Sequence, residues 1–185
     1  MQSQISKWSL RYQVAKAEHT AAQVQHAKNE YRYSACKEAL ASLQAAAVLC
    51  QTRCQERISN VVTRCLTAVF PDSKYKFRLV FEEKRNQTEA RCVLTDASGN
   101  EYDPVESTGG GVMDVVAFGL RLACLMLQRP APEKILILDE PARFLSKQYR
   151  GNFVDLLDSL AKELGVQIIA VTHVPEFVRG NVIEV

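Results

Sequence analysis

Residues 1–68 contain neither glycine nor proline and are rich in Ala, Gln, Lys, Glu and Arg. Nothing in such a stretch stops a helix, and its composition favours one throughout. At about 1.5 Å of rise per residue that helix runs to roughly 100 Å, longer than a compact domain of this size can bury. Its second half places apolar residues at Cys36, Leu40, Leu43, Ala47, Cys50, Cys54, Ile58, Val61 and Cys65. These steps of three and four are coiled-coil-like, with a slip near Cys54. The first half is less regular: Ile5, Trp8, Tyr12 and Ala15 start a seam that His19 and Lys28 blur. A lone helix cannot bury such a stripe. It needs a partner helix, from a second copy or another protein, unless it folds back on its own globular part. Between Lys7 and Arg64 nine basic residues stand against four acidic ones. A basic stalk can touch a phosphate backbone, but so small a bias equally suits a solvated face, and none of these residues enters the candidate site.

The chain divides near Phe70-Pro71-Asp72, into a helical arm (1–68) and a globular lobe (69–185). Lys74 to Phe81 alternates with period two, and Glu82 to Thr88 is a polar turn region. Ala90 to Thr95 reads as a second strand, Asp96 to Asn100 as a turn, and Glu101-Tyr102 as a short third strand. The expectation is an antiparallel β-meander without assigned chemistry.

Lys134-Ile135-Leu136-Ile137-Leu138-Asp139-Glu140-Pro141 then changes the character of the chain. Four branched aliphatics in a row predict a strand buried on both faces, as inside a parallel sheet. Functional groups of open α/β sheets collect at the carboxyl ends of the strands. An apolar strand followed by Asp-Glu is the Walker B arrangement, in which the Asp holds the Mg²⁺ of a bound nucleotide. The second carboxylate stands beside the metal, where a general base can act on water. A buried strand leading into a solvated acidic turn has the same pattern.

Glu106-Ser107-Thr108-Gly109-Gly110-Gly111-Val112-Met113-Asp114 precedes an apolar helix expected over about 112–128. Glycines and hydroxyls at a helix N-terminus make an anion site, although a plain turn before a buried helix reads the same way. After the Asp-Glu pair, Leu145-Ser146 opens an amphipathic helix with Phe153, Leu156, Leu157, Leu160 and Leu164 on one side and Gly165 at its stop. Val166 to Val171 is the next buried strand, completing a right-handed strand–helix–strand unit. It ends in Thr172-His173, so this imidazole emerges on the same sheet edge as Asp139 and Glu140.

A net charge of +2 selects no partner. Six cysteines form no Cys-x-x-Cys pair and have no metal-ligand spacing with the three histidines. They read as reduced thiols, mostly packed as small apolar groups. No run of about 18 apolar residues and no signal-peptide pattern at Met1 is present, so a soluble, cytoplasmic protein without a membrane partner is expected.

A glycine-rich signature before a helix, then a Walker B strand with Asp-Glu-Pro, a loop, a helix and a strand ending in His resembles the C-terminal half of an ABC-type ATPase. The long helix entering a β-meander narrows the resemblance to the structural-maintenance-of-chromosomes and SbcC-type group, phage recombination ATPases included. It covers about residues 55–185, with Val182 to Val185 as a terminal strand. The fold it implies is α/β: a long coiled-coil-like helix, a small antiparallel meander and a parallel-sheet lobe. The cofactors it implies are ATP and Mg²⁺.

The resemblance also implies roles. Asp139 would hold Mg²⁺ through water, Glu140 would polarise the attacking water, and His173 would sense the γ-phosphate. Thr108, Gly109 and Gly110 would cap the γ-phosphate of ATP on an opposing domain, flanked by Ser107 and Gly111. The hydroxyl register stays open between Ser107 and Thr108. Leu145-Ser146 matches the loop that couples the two sites, but the family usually has Asp where Ser146 stands.

No Gly-x-x-x-x-Gly-Lys-Ser/Thr occurs among the eight glycines, so the phosphate-cradling loop and its lysine are missing. In the family these precede the coiled coil, and the chain is expected to start at the returning coiled-coil helix. It should not turn over ATP alone. One expectation is a half-ATPase, completed by a chain with the Walker A lobe and the other coiled-coil helix. Together they would form a dimeric ATP-gated clamp on DNA, with a nuclease as a further partner, in a bacterial or phage-infected cytoplasm. The alternative is a regulator or decoy that docks on a related ATPase. A coiled-coil adaptor explains the helix but not the three motifs.

Overall fold

The structure, a computed structural model, describes residues 2–84, 87–107 and 109–183. Its elements are α1 (Gln2–Val69), β1 (Lys76–Lys84), β2 (Gln87–Thr95), β3 (Glu101–Tyr102), α2 (Pro104–Ser107), α3 (Gly110–Leu127), β4 (Ile135–Asp139), α4 (Lys147–Leu164) and β5 (Gln167–Val171). A short 3₁₀ turn follows at Pro175–Phe177. The chain forms two compact units, Met1–Gln51 and Thr52–Val185, which divide inside α1.

In the first unit residues 4–50 are exposed all round, including Trp8, Tyr12, Leu40 and Leu43 of the expected seam. Cys36 and Cys50 are exposed with them, and Cys54 and Cys124 of the second unit are exposed too. This corrects the expectation that the thiols are mostly packed. Of the six, Cys65 is the buried one, and that burial pushes its thiol up to about 12.

The second unit is built around the last turns of α1. Val62, Leu66 and Val69 are completely buried, because the three- and four-residue steps here meet the rest of the same unit. α3 crosses them at Gly119, where a Cβ would lie 3.1 Å from the Val62 Cα, so a larger residue would press the two helices apart. α3 is apolar and long enough to cross a membrane by composition. Its Val115, Val116, Phe118 and Leu122 are instead buried in the core of the unit, with Phe153 of α4 edge-on to Phe118.

β1, β2 and β3 form the expected antiparallel meander, with Phe77 opposite Leu94 and Leu94 opposite Tyr102. β1 and β2 run further than expected, through Lys84 and Gln87, so the polar turn region 82–88 is mostly strand. Arg85 and Asn86 lie outside the described residues. α1 satisfies the other edge of β1. The Thr63 hydroxyl accepts from the Phe77 amide at 3.0 Å and donates to its carbonyl at 3.3 Å, and the Ser59 hydroxyl accepts from the Leu79 amide at 3.0 Å.

β4 and β5 pair in parallel, joined by α4, whose stop is Gly165 at φ 63°. The sheet is covered on one face. Leu136 and Leu138 are buried, whereas Ile135, Ile137, Ile169 and Val171 are 43, 70, 47 and 62% exposed. This corrects the expectation of strands buried on both faces: an apolar run says that cover is needed, not that the same unit supplies it. Val182 and Ile183 belong to no strand, against the expected terminal strand, and Glu184 and Val185 lie outside the described residues.

Thr63→Val keeps the side-chain shape and strands the Phe77 amide and carbonyl, so it should cost about 1–3 kcal/mol. Urea denaturation followed by circular dichroism measures this. An unchanged midpoint would mean that water satisfies the β1 edge.

Candidate functional site at the end of the parallel sheet

Asp139 stands opposite Val171, so β4 and β5 end together and release their next residues at one edge. The chain leaves β4 through two left-handed residues, Glu140 at φ 44° and Ala142 at φ 56°. Each such non-glycine conformation costs about 1–3 kcal/mol and persists only where its surroundings enforce it. The enforcing contacts can be named. The Glu140 amide donates to the Val171 carbonyl at 2.8 Å, which carries the glutamate side chain across the end of β5. The Leu145 amide donates to the Ala142 carbonyl at 3.0 Å, and Leu145 is buried. Arg150 donates to the Leu145 carbonyl at 3.2 Å while held by Glu176 at 3.3 Å.

Beyond β5, the His173 amide donates to Glu140 Oε1 at 3.2 Å. The imidazole Nδ1 lies 2.8 Å from Oε2, an ion pair when His173 is protonated. This oxygen is buried and accepts no hydrogen bond among the described residues. His173 is 73% exposed and Glu140 29%. One partner therefore faces solvent while the other presents a sheltered carboxylate oxygen with spare accepting capacity. Asp139 is exposed, on the face of β4 that carries Ile135 and Ile137. The edge thus combines an open carboxylate, a sheltered one and an imidazole.

The three glycines of the signature stretch separate by environment. Gly109 is the N-cap of α3, and nothing lies within 4 Å of where its Cβ would be. A Cβ at Gly110 would meet the Phe144 Cβ at 2.8 Å, and one at Gly111 would meet the Phe144 carbonyl at 3.0 Å and the Leu145 Cα at 3.1 Å. Gly109 alone leaves room for an outside group; Gly110 and Gly111 admit the loop that follows Glu140. Ser107 ends α2, and Thr108 lies outside the described residues. Ser146 is the N-cap of α4, and its side chain makes no capping hydrogen bond. Its carbonyl accepts from Tyr149 at 2.9 Å instead.

The sequence reading assigned no role to Asp114, whose Oδ2 accepts from the Phe144 amide at 2.8 Å. Burial raises the Asp114 pKa, partly offset by this hydrogen bond. A small cavity of about 120 Å³ between α3 and the end of β4 is lined by Asp114, Arg121, Asp139 and Glu140. A signal existed: Asp114 is a lone carboxylate one turn beyond Gly110 in an apolar helix. Phe144 itself is 66% exposed, with the Arg143 guanidinium 5.6 Å from its ring centre.

No protein-family model matches the chain. It is 30% identical over 141 residues to the probable ABC transporter ATP-binding protein p29 of Mesomycoplasma hyorhinis, covering 74% of this chain and 53% of that protein. It is also 30% identical over 118 residues to the DNA double-strand break repair Rad50 ATPase of Thermoplasma acidophilum, covering 63% of this chain and 13% of that protein. The chain thus spans about half the length of the first of these curated relatives and a small part of the second. Among solved structures, an SMC ATPase studied for ATP-driven dimerization and DNA-stimulated activation superposes with a TM-score of 0.53 at 20% identity, over 68% of this chain and 72% of that one. The Smc head domain of Pyrococcus furiosus, bound to the C-terminal domain of ScpA, gives 0.51 at 20% identity over 66% of this chain and 29% of that one. Fold and sequence define one class: the chain has the SMC head-domain fold and is an SMC- and Rad50-like relative of the ABC-type ATPases.

Gly111→Val should lose about 1–3 kcal/mol more stability than Gly109→Val, because only the first drives a side chain into the 144–145 backbone. Denaturant midpoints of the two variants compare them. Equal losses would mean that the loop is not held against α3.

Proposed function

We propose that the chain is the catalytic C-terminal half of an ATP-gated ABC-type ATPase acting on DNA. The observation that carries this reading is the left-handed Glu140 held between the ends of two parallel strands, with His173 Nδ1 2.8 Å from its carboxylate. Metal holding is within reach of the residues present. Asp139 is an exposed carboxylate at the strand end, and among the described residues no group of three or more His, Cys, Asp or Glu could hold an ion. A Mg²⁺ bound there would share one protein carboxylate with water and phosphate oxygens, as this ion commonly does. When bound, it supplies charge neutralisation for the phosphates.

The chain's own residues do the rest. The Glu140 carboxylate accepts a proton from the attacking water, which becomes the better nucleophile as the proton leaves. His173 orients Glu140 through its backbone amide and reaches toward the γ-phosphate with its exposed ring. Thr108, Gly109 and Gly110, flanked by Ser107 and Gly111, cap the γ-phosphate of ATP bound to an opposing domain. Leu145 and Ser146 lie on the connection between the two sites.

A Walker A lobe is required, because the chain has no Gly-x-x-x-x-Gly-Lys-Ser/Thr. The uncovered face of β4 and β5 supports such a partner, since parallel sheets are stable when covered on both sides. The exposed apolar residues of α1 suit a second coiled-coil helix. A nuclease subunit is the further partner we assign to the assembled clamp.

In the complete ATPase, whether one chain or two, Glu140→Gln should slow hydrolysis by on the order of 10²–10⁴ while ATP binding persists. Single-turnover hydrolysis beside equilibrium ATP binding measures both, and unchanged turnover removes Glu140 from this role. Thr108→Arg should abolish ATP-dependent association of two domains, read by analytical ultracentrifugation. Normal association would reduce the glycine stretch to a turn.

A further inference from the structure

We propose that Asp114 is a positioning residue for Glu140, clamping the loop that carries this carboxylate to the glycine-rich start of α3. The inference rests on the ATPase reading for its consequence, but its geometry stands within this chain. The loop from Glu140 to Ser146 leaves β4 through two left-handed residues, so its course depends on outside holds. Two of these are to β5 and α4: the Glu140 amide to the Val171 carbonyl, and Arg150 to the Leu145 carbonyl. The third comes from α3, where Asp114 Oδ2 accepts the Phe144 amide at 2.8 Å.

Asp114 lies four residues after Gly110, one helical turn along the same face. Gly110 is where Phe144 presses on the helix: its Cβ fills the place a Gly110 side chain would take. Steric contact at Gly110 resists approach of loop and helix, and the hydrogen bond to Asp114 resists their separation. The two together fix the loop against α3 in both directions. A displacement of Gly109–Gly111 therefore reaches Glu140 through four residues of backbone. An aspartate suits this place because its short side chain leaves an acceptor close to the helix, where it also lines the small cavity shared with Asp139 and Glu140. In the assembled enzyme, a phosphate engaged at Gly109 by one domain would thereby be felt at the water-activating carboxylate of the same chain.

The test is amide hydrogen exchange by NMR on the full chain, with Asp114→Ala and the conservative Asp114→Asn, whose amide oxygen still accepts. Asp114→Ala should speed exchange at Phe144 and, in concert, at Glu140 and His173, while Asp114→Asn stays near wild type. Faster exchange confined to Phe144 overturns the proposal. Should the alanine variant fail to fold, Asp114→Leu keeps the branched shape without an acceptor and is read the same way. In the complete ATPase, Asp114→Ala should lower kcat on the order of 10²-fold with the KM for ATP within about twofold, and Asp114→Asn should restore most of it. Loss of ATP affinity with kcat intact overturns the positioning role. If the wild-type complete protein hydrolyses no ATP, the ATPase reading falls, and the exchange pattern still decides the clamp.

Discussion

Everything at the candidate site hangs on the parallel pairing of β4 with β5. That register sets Asp139 against Val171, so the residues that follow each strand emerge side by side. An antiparallel pair would have sent Glu140 and His173 to opposite ends of the sheet. Parallel neighbours need a crossover, and α4 supplies it by burying Phe153 against Phe118 and Phe177. The same crossover is anchored to the end of α1, where Asn152 donates to the Val69 carbonyl at 3.0 Å. The site is thus held from behind by the core and from the side by the start of α3. Strained backbone at Glu140 and Ala142 is tolerable in such a frame and would relax in a looser one.

What the sequence disclosed follows from this dependence. An apolar run ending in Asp139-Glu140, and another ending in Thr172-His173, put these side chains on one edge by topology alone. Periodicity likewise marked α4 and its stop at Gly165, because helix burial leaves a repeat in the chain. Other features leave no such trace. Ile135 and Ile137 look as buried as Leu136 and Leu138 in the one-dimensional pattern, yet only the second pair has cover in this unit. Nor do three adjacent glycines announce that one faces open space while two face Phe144 and Leu145. That distinction depends on a loop 33 residues or more downstream of them. The partner of Asp114 was hidden for the same reason, since it is the Phe144 backbone and backbone partners have no sequence signature.

α1 shows one pattern serving two environments. Ile58, Val61 and Cys65 continue the three- and four-residue steps of Cys36, Leu40 and Leu43 without a change in composition. The first group packs on or in the core of the second unit, and the second group is exposed. A stripe of this kind states a need for cover but not its source. The source is read from the tertiary structure: the meander and α3 serve the last turns, and the hydroxyls of Ser59 and Thr63 fasten the edge of β1 to them.

The same logic orders the unfilled surfaces of the chain. Ile137, Ile169 and Val171 form an exposed apolar face on a two-stranded parallel sheet. Asp139 lies on that same face of β4. A lobe that covers the apolar residues would therefore also come up against the open carboxylate. On the ATPase reading this is an economy of design: burial of the sheet and delivery of the phosphates to Asp139 become one event. Hydrophobic cover would supply the affinity, and the carboxylate would supply the reason for the docking geometry. Gly109, the signature glycine with free space above it, would remain available to a second domain. The two contacts then have different chemistry, one apolar and lasting, the other phosphate-mediated and dependent on ATP. A clamp that opens and closes needs that difference between the contact that persists and the contact that turns over.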